Sequence, residues 1–89
     1  MTEQQIQNKR IKELESQGFY VIKLIKTNKN GIPDLIAIPP DSGVLFSEVK
    51  TPKGVVSRLQ EYRLQELEKH GCNTEIYNGS GTETNNNNI

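Results

Sequence analysis

The chain holds a single cysteine, Cys72, no tryptophan, and no long apolar run. One cysteine cannot close an internal disulfide and cannot build a multi-cysteine zinc site. The longest apolar stretches, such as Leu35-Ile36-Ala37-Ile38, fall far short of the roughly 20 residues of a membrane-spanning helix. An excess of one charge is missing too. Eleven Lys and Arg stand against eleven Asp and Glu, a formal net charge of zero that excludes bulk polycation behaviour. Any nucleic-acid contact must therefore come from charge arranged locally. The opening residues, Met1-Thr2-Glu3-Gln4-Gln5, have neither the basic nor the apolar region of a secretory leader. A reduced, soluble, cytoplasmic protein is the expectation.

What is present amounts to one small domain. The chain has 89 residues, of which 33% are hydrophobic. A chain of this size buries only about 60–70% of its extended surface, so support from a partner subunit is expected. Gln4 to Gln17 are helix formers, stopped by Gly18. Phe19 to Ile25 is aromatic and β-branched and predicts a strand. A polar turn, KTNKNG, follows. Pro33 to Ile38 and Val44 to Val49 predict two further strands. The segment between them, Pro39-Pro40-Asp41-Ser42-Gly43, cannot continue a ladder and reads as a hairpin loop. Ser57 opens a second helix, with Gln60 at capping-box spacing, and Gly71 closes it after His70. Asn73 to Tyr77 predicts a last strand. Residues 1–78 make the domain, and 79–89 read as a low-complexity polar tail with almost nothing to bury. The predicted order is α-β-β-β-α-β, an α/β fold with a central mixed sheet flanked by helices.

The chemistry concentrates between Gly31 and Lys50. If the hairpin turns about Asp41, Ile38 faces Val44, Ile36 faces Phe46 and Asp34 faces Glu48. Opposed residues on antiparallel strands have Cβ atoms about 4.5–5.5 Å apart. The period of two puts Lys50 on the face of Glu48. Asp34, Glu48 and Lys50 then converge on a semi-buried face. Opposed carboxylates repel unless a cation lies between them. A hard divalent ion such as Mg²⁺ meets that need, and a lysine beside it can orient water or offset phosphate charge. The plainer reading, that Lys50 only salt-bridges one acid, stands beside it.

Glu3 and Gln7 share the inward stripe of the first helix with Ile11 and Leu14. Glu3 there is frayed into solvent, set against the helix dipole, or aimed at a cation. Gln60 is explained by the capping box or by a place near the acids, and Arg63 reads as a snorkelling surface residue. His70 is a helix-end residue and takes no catalytic role. Lys23, Lys26 and Lys29 form one basic cluster. Lys53 and Arg58 form another with Lys50 and Arg63. Such clusters suit phosphate contacts, with solvated surface charge as the default.

These residues resemble the PD-(D/E)xK nuclease superfamily and, more closely, its VRR-NUC family. The matching pieces are GIPDL at 31–35, EVKT at 48–51, Gly54, and SRLQ at 57–60. The resemblance covers roughly residues 3 to 77 and implies a restriction-endonuclease-like core. It implies that Asp34 and Glu48 bind metal, with the Val49 carbonyl as a further ligand. Lys50 would be the catalytic lysine, Gln60 the motif glutamine, and Glu3 the acid sent from the first helix. The implied activity is phosphodiester hydrolysis with Mg²⁺ or Mn²⁺. The length is similar to that of short stand-alone members from phages and their hosts, which implies a homodimer acting on branched DNA such as a four-way junction. Arg63 departs from the pattern, which often has a bulky apolar residue there. The alternative is a catalytically inactive DNA-binding module on the same fold. Loss of activity usually removes one of Asp34, Glu48 or Lys50, and all three are present. An interaction domain with a fortuitous hairpin would have to explain four motif pieces in order. A sequence-specific nuclease is disfavoured by the small surface left for base readout.

Overall fold

The structure is a computed structural model, and it describes residues 1–79 and the strand at 82–85. The first helix, α1, spans Glu3–Ser16. It starts at a capping box in which Thr2 accepts from the Gln5 amide and the Gln5 side chain accepts from the Thr2 amide. The residue pattern alone does not pick out this cap and starts the helix one residue later, at Gln4. Gly18 ends the helix at φ +92°, a conformation that costs other residues a clash at Cβ.

Three strands follow: β1 at Tyr20–Lys23, β2 at Leu35–Ile38 and β3 at Leu45–Val49. β1 is shorter than the aromatic and β-branched run that predicts it. The second helix, α2, covers Arg58–Lys69 behind the expected Ser57–Gln60 capping box, and β4 is Asn73–Tyr77. The order α-β-β-β-α-β is as expected. A further strand, β5 at Thr82–Asn85, pairs antiparallel with β4. It falls within the stretch read as a polar tail. Edge pairing uses backbone groups and needs no apolar side chain, so the pattern gave no sign of it. The rest of that tail, 80, 81 and 86–89, lies outside the described residues.

The sheet order is β1-β2-β3-β4-β5, antiparallel throughout except for the parallel pair β3–β4 that α2 connects. In the hairpin, Ile36 faces Phe46 and Leu35 faces Ser47, the register expected for a turn about Asp41. Alternation then sorts the two faces. One face meets α1: Ile6 packs with Leu35, Val49 and Tyr77, and Leu14 with Ala37 and Leu45. The other carries Asp34, Ile36, Phe46 and Glu48, and α2 covers it at the β3–β4 side. Across the β1–β2 half of that face, Tyr20, Ile22 and Ile38 remain exposed. No helix among the described residues is long and apolar enough to cross a membrane.

A buried ion pair fastens α1 to the sheet. Arg10 donates twice to Glu75, at 2.7 and 2.6 Å, and Ser47 donates to the same carboxylate at 2.7 Å. The Arg10 guanidinium also lies 4.8 Å from the centre of the Tyr77 ring. Bidentate geometry satisfies both carboxylate oxygens, which a buried charge requires.

Candidate functional site

The hairpin brings Asp34 and Glu48 together at its open end, next to Lys50. Pro33 fixes the chain just ahead of β2, and the Asp34 carboxylate accepts from the Val49 amide at 2.8 Å. That bond replaces a ladder contact at the end of β3 with a side chain, so the acid is held by the strand it faces. In an extended strand a residue's N–H and C=O point to the same side. The Val49 carbonyl therefore emerges on the side of Asp34.

Glu48 is only 2% exposed, which is unusual for a carboxylate. Its Oε2 accepts from the Gln60 side chain at 3.1 Å and lies 3.4 Å from the Lys50 ammonium. Its Oε1 is buried with no hydrogen-bond partner among the described residues. Burial, first, and then the neighbouring charge of Asp34 push the Glu48 carboxyl up to about 7, against the pull of Lys50. Glu3 adds a small push in the same direction.

Gln60 does both things the sequence left open. Its amide oxygen accepts from the Ser57 amide at 2.9 Å, closing the capping box, while its nitrogen donates to Glu48. Lys50 likewise pairs with Glu48 and belongs to the acid cluster, so the plain salt bridge and the clustered site coexist. Glu3 is exposed on α1 and stays within electrostatic reach of Glu48. It does not complete a trio: among the described residues no group of three or more His, Cys, Asp or Glu could hold a metal ion.

The basic residues divide. Lys26 and Lys29 sit in the exposed turn that leads into Gly31-Asp34, and Lys53 and Arg58 flank the loop after Lys50. Lys23 faces Leu35 across the β1–β2 ladder and so leaves the sheet on the α1 face, away from the acids. Arg63 is more than a snorkelling side chain. Its Nε donates to the Asn30 carbonyl at 2.8 Å and ties α2 to the loop ahead of Asp34. At the same junction Gly31 adopts φ +80°, and a Cβ there would stand 2.7 Å from Leu59 Cγ.

Sequence reasoning missed the Arg10–Glu75–Ser47 cluster. Only the parallel placement of β4 beside β3 reveals it. Gln7, placed on the inward stripe, is buried with its side-chain oxygen unpartnered among the described residues.

A family model described as the VRR-NUC domain matches residues 1–81. A solved structure titled "VRR_NUC domain" superposes with a TM-score of 0.75 and 27% identity, over 85% of this chain and 83% of that one. No curated protein matches the chain.

Proposed function

Because the chain belongs to the VRR-NUC family of nuclease domains, we propose that it is a metal-dependent, structure-selective DNA endonuclease that acts on branched DNA such as a four-way junction. The observation that carries this reading is the pairing of Asp34 with a buried Glu48 whose Oε1 has no hydrogen-bond partner among the described residues. A buried, half-satisfied carboxylate beside a second carboxylate is costly unless a cation joins it.

The donor set is all oxygen and suits Mg²⁺ or Mn²⁺. Asp34, Glu48 and the Val49 carbonyl would hold the ion, and Glu3 on α1 would add negative charge at longer range. When bound, the ion supplies a water of lowered pKa and Lewis-acid polarisation of the phosphodiester. The chain's own residues do the rest. Lys50 offsets charge that develops on the phosphoryl oxygens and orients the attacking water. Gln60 fixes the rotamer of Glu48, and the Val49 amide fixes that of Asp34. Lys26, Lys29, Lys53 and Arg58 contact phosphates and set the strand in register, whereas Lys23, on the α1 face, takes no part.

The homodimer belongs to the same proposal. It is supported by the small core and by the exposed Tyr20, Ile22 and Ile38 on the uncovered half of the sheet. Exposed apolar patches of this kind mark association surfaces, and a two-fold dimer would present two sites to opposed strands.

The test is cleavage of labelled four-way junction, flap, duplex and single-stranded DNA with Mg²⁺, Mn²⁺ or EDTA, beside Lys50→Ala. Symmetric, metal-dependent nicking of the junction is expected, with Lys50→Ala slower by about 10²–10³-fold or more. Cleavage by Lys50→Ala at the wild-type rate would remove Lys50 from the chemistry. Binding without cleavage of any substrate would leave an inactive DNA-binding module.

A further inference from the structure

A cavity of about 280 Å³ opens between α2 and the loop that leads to Asp34, lined by Lys29, Ile32, Arg63, Glu66, Leu67 and His70. It lies outside the acid cluster but shares its scaffold. Gln60, Arg63, Leu67 and His70 recur at i, i+3, i+7 and i+10, so one stripe of α2 runs from the Glu48 contact to this cavity. The centre of the cavity sits about 10 Å along the helix from Gln60 at 1.5 Å per residue. That distance is about three nucleotides of DNA rise at 3.4 Å each.

The lining combines two chemistries. Ile32 and Leu67 give an apolar floor. Lys29, Arg63 and His70 give a basic rim with spare bonding capacity. Arg63 spends Nε on the Asn30 carbonyl and Nη1 on Glu66 at 2.8 Å, which balances the one acid present. The Lys29 ammonium donates no hydrogen bond among the described residues. His70 Nδ1 lies 2.8 Å from the Glu66 carbonyl. A carbonyl only accepts, so Nδ1 carries the proton and Nε2 is uncommitted. A nucleotide matches that division, with its phosphate on the cations and its base on the apolar floor beside the imidazole.

Resting on the nuclease reading, we infer that this cavity is a substrate subsite that holds one nucleotide of the DNA strand, about three nucleotides from the scissile bond. Lys29 and Arg63 take its phosphate. Ile32, Leu67 and His70 take its base. The departure at Arg63 from the family's apolar preference then has a function: the residue closes the loop against α2 and turns the junction into a basic pocket.

The experiment is fluorescence anisotropy of labelled single-stranded and four-way-junction DNA in EDTA. Lys29→Gln and His70→Asn, alone and combined, are compared with wild type, and Lys12→Gln on α1 serves as the charge control. Circular dichroism checks that each variant folds. Each single substitution is expected to weaken binding about 3–10-fold, Lys29→Gln lowering the salt slope by about one, with Lys12→Gln within about twofold of wild type. An abasic site walked along the strand should weaken wild-type binding at one position, and that loss should vanish in His70→Asn. Wild-type affinity in the combined variant, or no position-specific abasic loss, overturns the inference while metal-dependent cleavage keeps the nuclease reading intact. A wild-type protein that neither binds nor cleaves DNA overturns both.

Discussion

Glu48 is the residue on which proton, metal and stability meet. Its folded pKa of about 7 lies above its ordinary 4.5, so the folded chain holds that proton more tightly than the unfolded one. The resulting stabilisation is complete below about 4.5 and is lost as pH rises through about 7. At about 1.4 kcal/mol per unit, the metal-free protein should lose on the order of 3 kcal/mol between pH 5 and 8. Thermal melts in EDTA across that range should show the decline, and Glu48→Gln should flatten it. A flat wild-type profile would argue against the raised carboxyl. The proton and the ion compete for the same oxygens, so metal affinity should climb through the same window. Asp34→Asn should weaken that affinity by more than about tenfold in a metal titration. An unchanged titration would take Asp34 out of the site. Asp34, Glu48 and Lys50 were legible in the sequence because a hairpin register follows from local pattern alone. The orphaned Oε1 was not, since it depends on α2 folding over β3.

Elements are held to one another by contacts of very different sequence range. The Arg10–Glu75 pair joins α1 to β4 across most of the chain. Glu75→Ala removes both Arg10–Glu75 bonds and the Ser47 contact and leaves Arg10 with Glu13 alone, at 3.2 Å, so it should cost about 3 kcal/mol. Replacing Arg10 and Glu75 together with apolar residues should recover much of that in denaturant melts. A double-variant loss equal to the sum of the two single-variant losses would mean the pair is not coupled. Two of the glycines at positive φ, Gly18 and Gly31, make a second comparison. Gly18→Ala meets nothing within 4 Å and should cost only the backbone strain, about 1–2 kcal/mol. Gly31→Ala also drives into Leu59 and should cost more, lowering metal affinity because it moves the segment that carries Asp34. If the two variants melt alike, the Gly31–Leu59 contact has no weight. The caps at Ser57 and Gly18 could be read in advance from spacing and residue type. Glu75 could not, because a parallel partner 28 residues from Ser47 leaves no local pattern.

The whole molecule exposes 5849 Å². A standard two-fold interface would take about 800 Å² from each copy, roughly one seventh of it. Sedimentation should give a dimer, and Ile22→Lys, on the uncovered face, should give a folded monomer. A wild-type monomer at micromolar concentration would remove the dimer from the proposal. Within the chain, the side-chain ties that shape the acid cluster fall between residues 30 and 63, Arg63 to Asn30, Leu59 against Gly31, Val49 to Asp34 and Gln60 to Glu48, while backbone bonds from Leu24 to Asp34 and from Lys50 to Tyr77 anchor it to the sheet. The ties that fasten α1 reach outside that block. Genetic damage should therefore sort into two kinds. A lesion in α1 or β4 should be felt as lost stability, and cooling or an unrelated stabilising substitution should suppress it. A lesion inside the block should be felt as lost chemistry, and suppressors should arise only among its own few residues.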